Sequence, residues 1–397
     1  MRCEEEYRSL YNKDPEAVAF CPLRICPLGA HIDHQNGRVL AMALDKGIYI
    51  AYGKKTSGIC EIRSFQFPDK RAQFHVNAIP EEKQNDFADH LRGAAKELGE
   101  KYPLRLGVSC VIDGELAIGG LSSSAAVIIA FLSALAAVNG IALKPWETIL
   151  MAKAAENRYV GVNCGKLDQC AEVLSRADHL LYLDCLDDSN SLIPTSPRMK
   201  PYSIAVFYSG LGRSLATSAY NLRQDECKAA AYDLLAYAGL EYGKFKDAVL
   251  RDVPKPVFDE YKDRLPEPFR KRAEHFFTEY DRTVRGAEAW KNGDLEGFGA
   301  LVFESGKSSV ENYECGCPEL IELYRIMRDT PGIYGGRFSG AGFKGCCIAI
   351  VDPDREEETL RNVEEKYLKA FPGLQGKYFG AICRSADGAD LSGGTRR

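Results

Sequence analysis

The chain has 397 residues, 45% of them hydrophobic, a formal net charge of -5 at pH 7 and 14 cysteines. That length suits two domains of ordinary size. Lysine and arginine are spread along the chain and form no basic stripe, which argues against nucleic acid or an anionic membrane as partner and points to small molecules.

The first residues, MRCEEEYRSLYNKD, place acids where an export signal needs an apolar stretch, so a cytoplasmic location is expected. The cysteines are then reduced thiols. Neither Cys315 with Cys317 nor Cys346 with Cys347 has zinc spacing, and core packing accounts for most of the set. In chain order, alternating or β-branched runs predict strands starting at Gly47, Arg105, His179, Tyr202 and Gly345. Apolar periodicity predicts helices over Asp86–Glu100, Ser122–Val138, Pro145–Tyr159, Ser218–Gly239, Pro266–Lys291, Pro318–Arg328 and Glu356–Ala370. The longest apolar run, Ala125 to Val138, is too short to span a bilayer and stops at Asn139-Gly140, so it reads as a buried helix. Strands and helices interleave irregularly, which indicates an α+β fold. The Ser-, Pro- and Asp-rich stretch Leu186–Pro201 is the expected domain junction, dividing 1–195 from 196–397. The tail GADLSGGTRR lacks apolar periodicity and is expected to fray.

Four stretches carry chemistry. CPLGAHIDHQNG packs His31, Asp33 and His34 into four positions. A metal site is disfavoured, because His31 and Asp33 share a face only in an extended segment and no second cluster follows at ligand spacing. The remaining readings are a hydrogen-bonding claw for a hydroxyl-rich ligand and a plain turn whose Asp and Asn cap nearby backbone. ELAIGGLSSSAAVIIAF joins a glycine pair to Ser122, Ser123 and Ser124 at a helix start, which makes either an anion site for a nucleotide triphosphate or a heavily decorated N-cap. The lysine of an ordinary P-loop is missing. AENRYVGVNCGKLDQCAEVL carries Glu156 and Asp168, suited to holding magnesium and to deprotonating a hydroxyl, or else a solvated helix charge and an N-cap. In PGIYGGRFSGAGFKGCC the six glycines from Gly332 to Gly345 suggest close approach to a ligand, of which a tight corner explains two or three.

Together, RICPLGAHIDHQNG, GGLSSSAA, CGKLDQ and GGRFSGAGFKGC occur in the order and at the spacing of the sugar-kinase branch of the GHMP kinases, and from Phe20 to Cys383 the chain resembles galactokinases. Within that branch, CPLGAHIDH, SGLGRSL, SSVENYECG and RFSGAGF are most similar to galacturonokinases. The resemblance implies a two-domain GHMP fold, with an N-terminal domain like ribosomal protein S5 domain 2 and a ferredoxin-like C-terminal one. ATP and the sugar then meet in the cleft between them. It implies that Gly119, Gly120, Leu121, Ser122, Ser123 and Ser124, with Gly340 and Gly342, cradle the ATP phosphates, and that Ser124 and Glu156 hold Mg2+. It further implies that Asp168 takes the proton of the anomeric hydroxyl, that Arg24 stabilises that carboxylate and the transferring phosphoryl group, and that His31, Asp33 and Tyr220 grip the sugar.

The chain departs from the galactokinase pattern at several positions. Leu116 replaces a proline and Lys344 a glycine, while Lys166 replaces an apolar residue and is placed either to lower the pKa of Asp168 or to face solvent. Ala30 stands where galactokinases carry a glutamate against the sugar's C6 hydroxyl, and His34, where they carry tyrosine, is a candidate for a C6 carboxylate. A uronate kinase is therefore the first reading, with an ordinary galactokinase as the alternative. A non-catalytic sugar sensor is disfavoured by the intact serines, Arg24, Glu156 and Asp168. The expected partners are ATP and a sugar or uronic acid, and the expected state is a monomer.

Overall fold

The computed structural model describes residues 1–67, 71–116, 119–212 and 216–394. Its strands fall into two sheets. The first contains β1 (Ala17–Leu28), β2 (Arg38–Lys55), β3 (Ile59–Ser64), β4 (Arg71–His75), β5 (Gly107–Gly114), β6 (His179–Asp184) and β7 (Asn190–Pro194). The second is antiparallel and ordered β11-β8-β10-β9, from β8 (Ser203–Tyr208), β9 (Ile333–Phe338), β10 (Cys346–Val351) and β11 (Phe379–Cys383). A short β12 (Ser385–Ala386) returns to the first sheet.

β2 is the spine of the first sheet. β1 pairs along one side of it, and β6, β12 and β5 share the other, all antiparallel. β1 is absent from the sequence-based expectation because Pro22 and Pro27 interrupt its apolar run. The ladder accommodates both with register shifts between Pro22 and Arg24 and between Ile25 and Leu28.

Around the first sheet lie α1 (Arg2–Tyr11), α2 (Asp89–Lys101), α3 (Ser123–Val138), α4 (Pro145–Ala154), which runs into a π-helical turn over Ala155–Val160, and α5 (Leu167–Leu174). α6 (Ala216–Tyr237), α7 (Lys255–Tyr261), α8 (Glu267–Asn292), α9 (Leu295–Glu311), α10 (Pro318–Arg328) and α11 (Glu356–Ala370) complete the chain. α3 is apolar on nearly every side and accordingly buried. Proline at the first helical position starts α4 and α10, where its missing N–H costs nothing. Among the described residues no helix is long and apolar enough to cross a membrane.

α9 lies outside the expected helices because Gly297, Gly299 and Gly306 weaken its helical pattern. At Gly299 the role is contact. A Cβ on Gly299 would stand 2.2 Å from the Tyr334 carbonyl oxygen, and one on Gly335 2.4 Å from that of Gly299, so helix and strand touch backbone to backbone. Gly335 therefore serves packing and not a ligand, which corrects part of the reading of the glycine-rich stretch.

The chain leaves the first sheet after Pro194 and enters the second at Ser203, although the expected junction itself contributes β7. The tail corrects its expectation of fraying. The Gly388 N–H donates to the Ser175 carbonyl at 2.8 Å, the Ala389 N–H to that of Glu172 at 2.7 Å, and the Tyr52 hydroxyl to that of Gly393 at 2.7 Å. Residues 395–397 of that tail, and Arg213, Ser214 and Leu215 of SGLGRSL, lie outside the described residues. Among the described residues two large apolar cores result, with a small third one of Cys3, Tyr7, Val18, Ala51 and Val111, and neither large core respects the division of the sequence. Trp290 and Phe298 join the first-sheet core, while Cys26, Ala30, Ile32 and Val39 enter the second. Twelve of the cysteines are buried and all are free thiols.

Candidate active site

The segment after β1 crosses the seam between the two cores, and a cavity of about 350 Å³ opens there. Arg24, Ala30, His31, Asp33, Gly119, Gly120, Ser122, Ser124, Glu156, Asp168, Tyr220, Gly340 and Lys344 all line it. Four stretches far apart in sequence thus meet at one place.

Its centre is a triad in which Arg24 and Ser122 are buried and Asp168 is partly exposed. Arg24, only 3% exposed on β1, donates through Nε to Asp168 Oδ1 at 2.8 Å and through Nη1 to the Gly120 carbonyl at 3.0 Å. The other carboxylate oxygen of Asp168, in the first turn of α5, accepts from Ser122 Oγ at 2.8 Å. Burial alone weakens the Arg24 cation, but the Asp168 charge and hydrogen bond hold its pKa above the ordinary arginine value. One turn further on, burial and the adjacent Asp168 charge push fully buried Glu172 well above the usual carboxylate range.

The glycine-serine loop reaches α3 through left-handed backbone at Gly120 (φ 107°) and Ser122 (φ 64°). The turn ends at the start of α3, and Ser122 and Ser124 line the cavity there, while Ser123 is not among the lining residues. Ser339 Oγ donates to the Gly120 carbonyl at 2.6 Å, and Gly345 lies directly on the Gly119 carbonyl. The β9–β10 turn is thereby pressed onto the loop from the second sheet. Leu116 adopts φ 52°, a value closed to proline, which fits the departure noted at that position.

At the other end of the cavity, Asp33 accepts the Leu167 N–H at 3.4 Å, an approach possible only because Gly165 lacks a Cβ. Burial, with the Asp168 charge second, raises its pKa to about 6. His31 is held at φ 63°, stacked on Tyr313 with ring centroids 4.2 Å apart, and burial keeps it neutral. His34, grouped with the sugar-binding residues, turns instead onto Tyr313 Oη at 3.2 Å and the Gln35 amide at 3.0 Å. Burial lowers its pKa to about 3, so the ring is neutral in this arrangement. Lys166 pairs with Asp188.

Glu156, in the π-helical turn, accepts the Gln169 amide at 2.6 Å. Among the described residues no group of three or more His, Cys, Asp or Glu side chains stands ready to cage a metal. Ser124 and Glu156 offer one hydroxyl and one carboxylate on the same cavity wall, the hard-oxygen set magnesium takes alongside phosphate oxygens and water. The sequence reading missed Ser339, Gln169, Tyr313 and the cavity-lining His90. Gln169 stood inside CGKLDQ and Ser339 inside RFSGAGF, but only the fold shows what they hold.

Comparison with known proteins agrees with this arrangement. Residues 5–54 match the galactokinase galactose-binding signature, 89–176 the GHMP kinases N-terminal domain and 287–369 the GHMP kinases C-terminal domain. The chain is 39% identical to the galacturonokinase of Arabidopsis thaliana, covering 95% of this chain and 94% of that protein. It is 32% identical to the galactokinase of Roseiflexus sp. (strain RS-1), covering 97% and 95%. In three dimensions it superposes on Lactococcus lactis galactokinase complexed with galactose with a TM-score of 0.88 at 25% identity, over 98% of both chains. Methanococcus jannaschii mevalonate kinase shares the fold at a TM-score of 0.62 and 16% identity, over 93% and 98%. With its phosphate loop, its Arg24–Asp168 pair and both domain signatures in register, the chain belongs to the GHMP kinase family as a sugar kinase of the galactokinase branch.

Proposed function

We propose that the enzyme transfers the γ-phosphoryl group of ATP to the anomeric hydroxyl of D-galacturonic acid, giving α-D-galacturonate 1-phosphate and ADP in the cytoplasm. Asp168 accepts the hydroxyl proton as the bond from anomeric oxygen to γ-phosphorus forms and the bond to the β-phosphate oxygen breaks. Arg24 fixes that carboxylate and neutralises charge on the phosphoryl group in flight. Gly119 to Ser124, with Gly340 and Gly342, hold the phosphates, Ser124 and Glu156 hold magnesium, and His31, Asp33 and Tyr220 contact the sugar. A loose phosphoryl-transfer transition state asks for little beyond such positioning and charge neutralisation.

The observation that carries the substrate reading is Ala30. It lines the cavity beside His31 and Asp33, and the glutamate of the galactokinase pattern is missing from that wall. Two unit charges about 4 Å apart repel by ~1 kcal/mol in water and ~4 kcal/mol at an effective dielectric near 20, so a glutamate there disfavours a uronate and alanine admits it. The identity to a galacturonokinase supports the same reading. The galactose-binding signature over residues 5–54 favours a second one, a galactokinase acting on D-galactose.

ADP release measured with galacturonate, glucuronate and galactose separates them. The expected result is the highest kcat/KM for galacturonate. Efficient turnover of galactose with none of galacturonate replaces this reading with the second, and ATP binding without turnover of any sugar leaves a sensor.

A further inference from the structure

Gly29, Ala30 and His31 leave β1 after Leu28 and turn before the short helical segment at Asp33, so their backbone groups have no ladder to join. Buried backbone must be satisfied somewhere. Here α8, from the other half of the sequence, does it. Glu279 Oε1 accepts the Gly29 N–H at 2.7 Å and the Ala30 N–H at 3.3 Å. One turn earlier on the same helix face, His275 Nε2 stands 3.0 Å from the Ala30 carbonyl oxygen. Both side chains are fully buried.

Each is itself fixed by further groups. Glu279 takes hydrogen bonds from Ser305 Oγ at 2.6 Å and Arg282 Nε at 2.9 Å, with Arg337 Nη1 at 3.4 Å. His275 Nδ1 lies 2.9 Å from Ser308 Oγ. Because a carbonyl only accepts, His275 carries its proton on Nε2, and Nδ1 accepts from the serine. Burial lowers its pKa to about 4, which agrees with a neutral ring.

We propose that His275 and Glu279 are positioning residues for the sugar end of the site, clamping the backbone of Gly29–Ala30 so that Ala30 and His31 present a fixed wall to the substrate. Neither lines the cavity. A buried ion cluster is weak evidence for stability, since apolar packing of similar volume often serves as well. This one spends three hydrogen bonds on two consecutive residues of the wall, the kind of support that holds contact groups in register. The inference rests on the sugar-kinase reading and on Ala30 and His31 facing the sugar.

The test is steady-state kinetics on the full chain, with KM measured separately for sugar and for ATP. H275A should raise the sugar KM at least about tenfold while the ATP KM stays within about twofold. H275Q, whose amide N–H reaches the same carbonyl, should restore most of the loss. S308A frees the ring to rotate and should raise the sugar KM roughly threefold. If H275A does not fold, S308A and H275Q decide. The proposal is overturned if sugar and ATP KM rise together in a folded variant, if neither moves, or if H275Q is no better than H275A. Wild-type enzyme is assayed alongside with galacturonate and galactose. Preference for galactose overturns the substrate assignment alone, and the clamp is then judged on the galactose KM.

Discussion

The two ends of the cavity are built from different materials. The end proposed to hold phosphate is mostly backbone, with left-handed turns at Gly120 and Ser122, a helix start, and a second glycine loop lying on the first. The end proposed to hold the sugar is mostly buried side chains, His31 on Tyr313, Asp33 against Leu167 and Glu279 beneath Gly29. A triphosphate presents a uniform array of oxygens, which main-chain N–H groups satisfy. Sugars differ by single hydroxyls and carboxylates, and side chains distinguish those. Substitution at the first end should therefore cost ATP handling, and at the second, sugar identity.

Asp168 and Arg24 sit where the ends meet, and breaking that pair should have the largest effect. D168N should lower kcat by roughly 10²- to 10⁴-fold with the fold retained, as for loss of a positioned base. Near-normal turnover would remove Asp168 from that role.

At the phosphate end, G120A places a methyl group 2.8 Å from Cys346 Sγ and 3.0 Å from the Ser339 carbonyl oxygen, at a φ of 107°. Strain of about 1–3 kcal/mol should raise the ATP KM roughly ten- to a hundredfold and leave the sugar KM nearly unchanged. Equal shifts in both would dissolve the distinction between the two ends.

At the sugar end, A30E should move the ratio of kcat/KM for galacturonate over galactose toward galactose by at least about tenfold, or ~1.4 kcal/mol. An unchanged ratio would mean that Ala30 does not face C6.

Asp33 gives the smallest effect and the finest probe. With a pKa of about 6, it loses its charge as pH falls through that value. Between pH 7 and 5.5, kcat/KM for sugar should drop roughly fourfold in the wild type and stay level in D33N. The same shift has a stability sign. The folded value lies above the ordinary 3.8, so the unfolded chain gives up its proton first and stability falls as pH rises from about 4 to about 6. D33N should consequently melt higher than wild type above pH 6, as read by a thermal scan at both pH values.

How much of this was legible in the sequence follows the same division. α10 and α11 read to the residue, because a proline or an acidic cluster starts each and the apolar period is clean. The glycine-serine loop before α3 stood out almost as clearly, since glycine and serine are themselves the signal of a tight turn at a helix start. β1 did not read, because prolines masked a strand that bulges around them, nor did α9, where glycines weaken the helical pattern and Gly299 meets a partner strand. At the sugar end, the sequence placed Asp33 and His31 by motif and had no means to place His275 or Glu279. Their partners lie some 245 to 250 residues away, and nothing local records the pairing.

The returning tail sets the order in which the enzyme can be completed during synthesis. Ser385 and Ala386 pair with β2, and the next residues hold the last turn of α5, the helix that carries Asp168 at its start. They emerge from the ribosome roughly 200 residues after α5, which at ~5–20 residues per second is a delay of about 10 to 40 s. Throughout that interval the first sheet is short one strand and the helix that carries Asp168 lacks the hydrogen bonds from Gly388 and Ala389 at its end. A nascent chain that already holds Arg24, Ser122 and Asp168 is therefore still unfinished around that triad's helix until the returning segment docks.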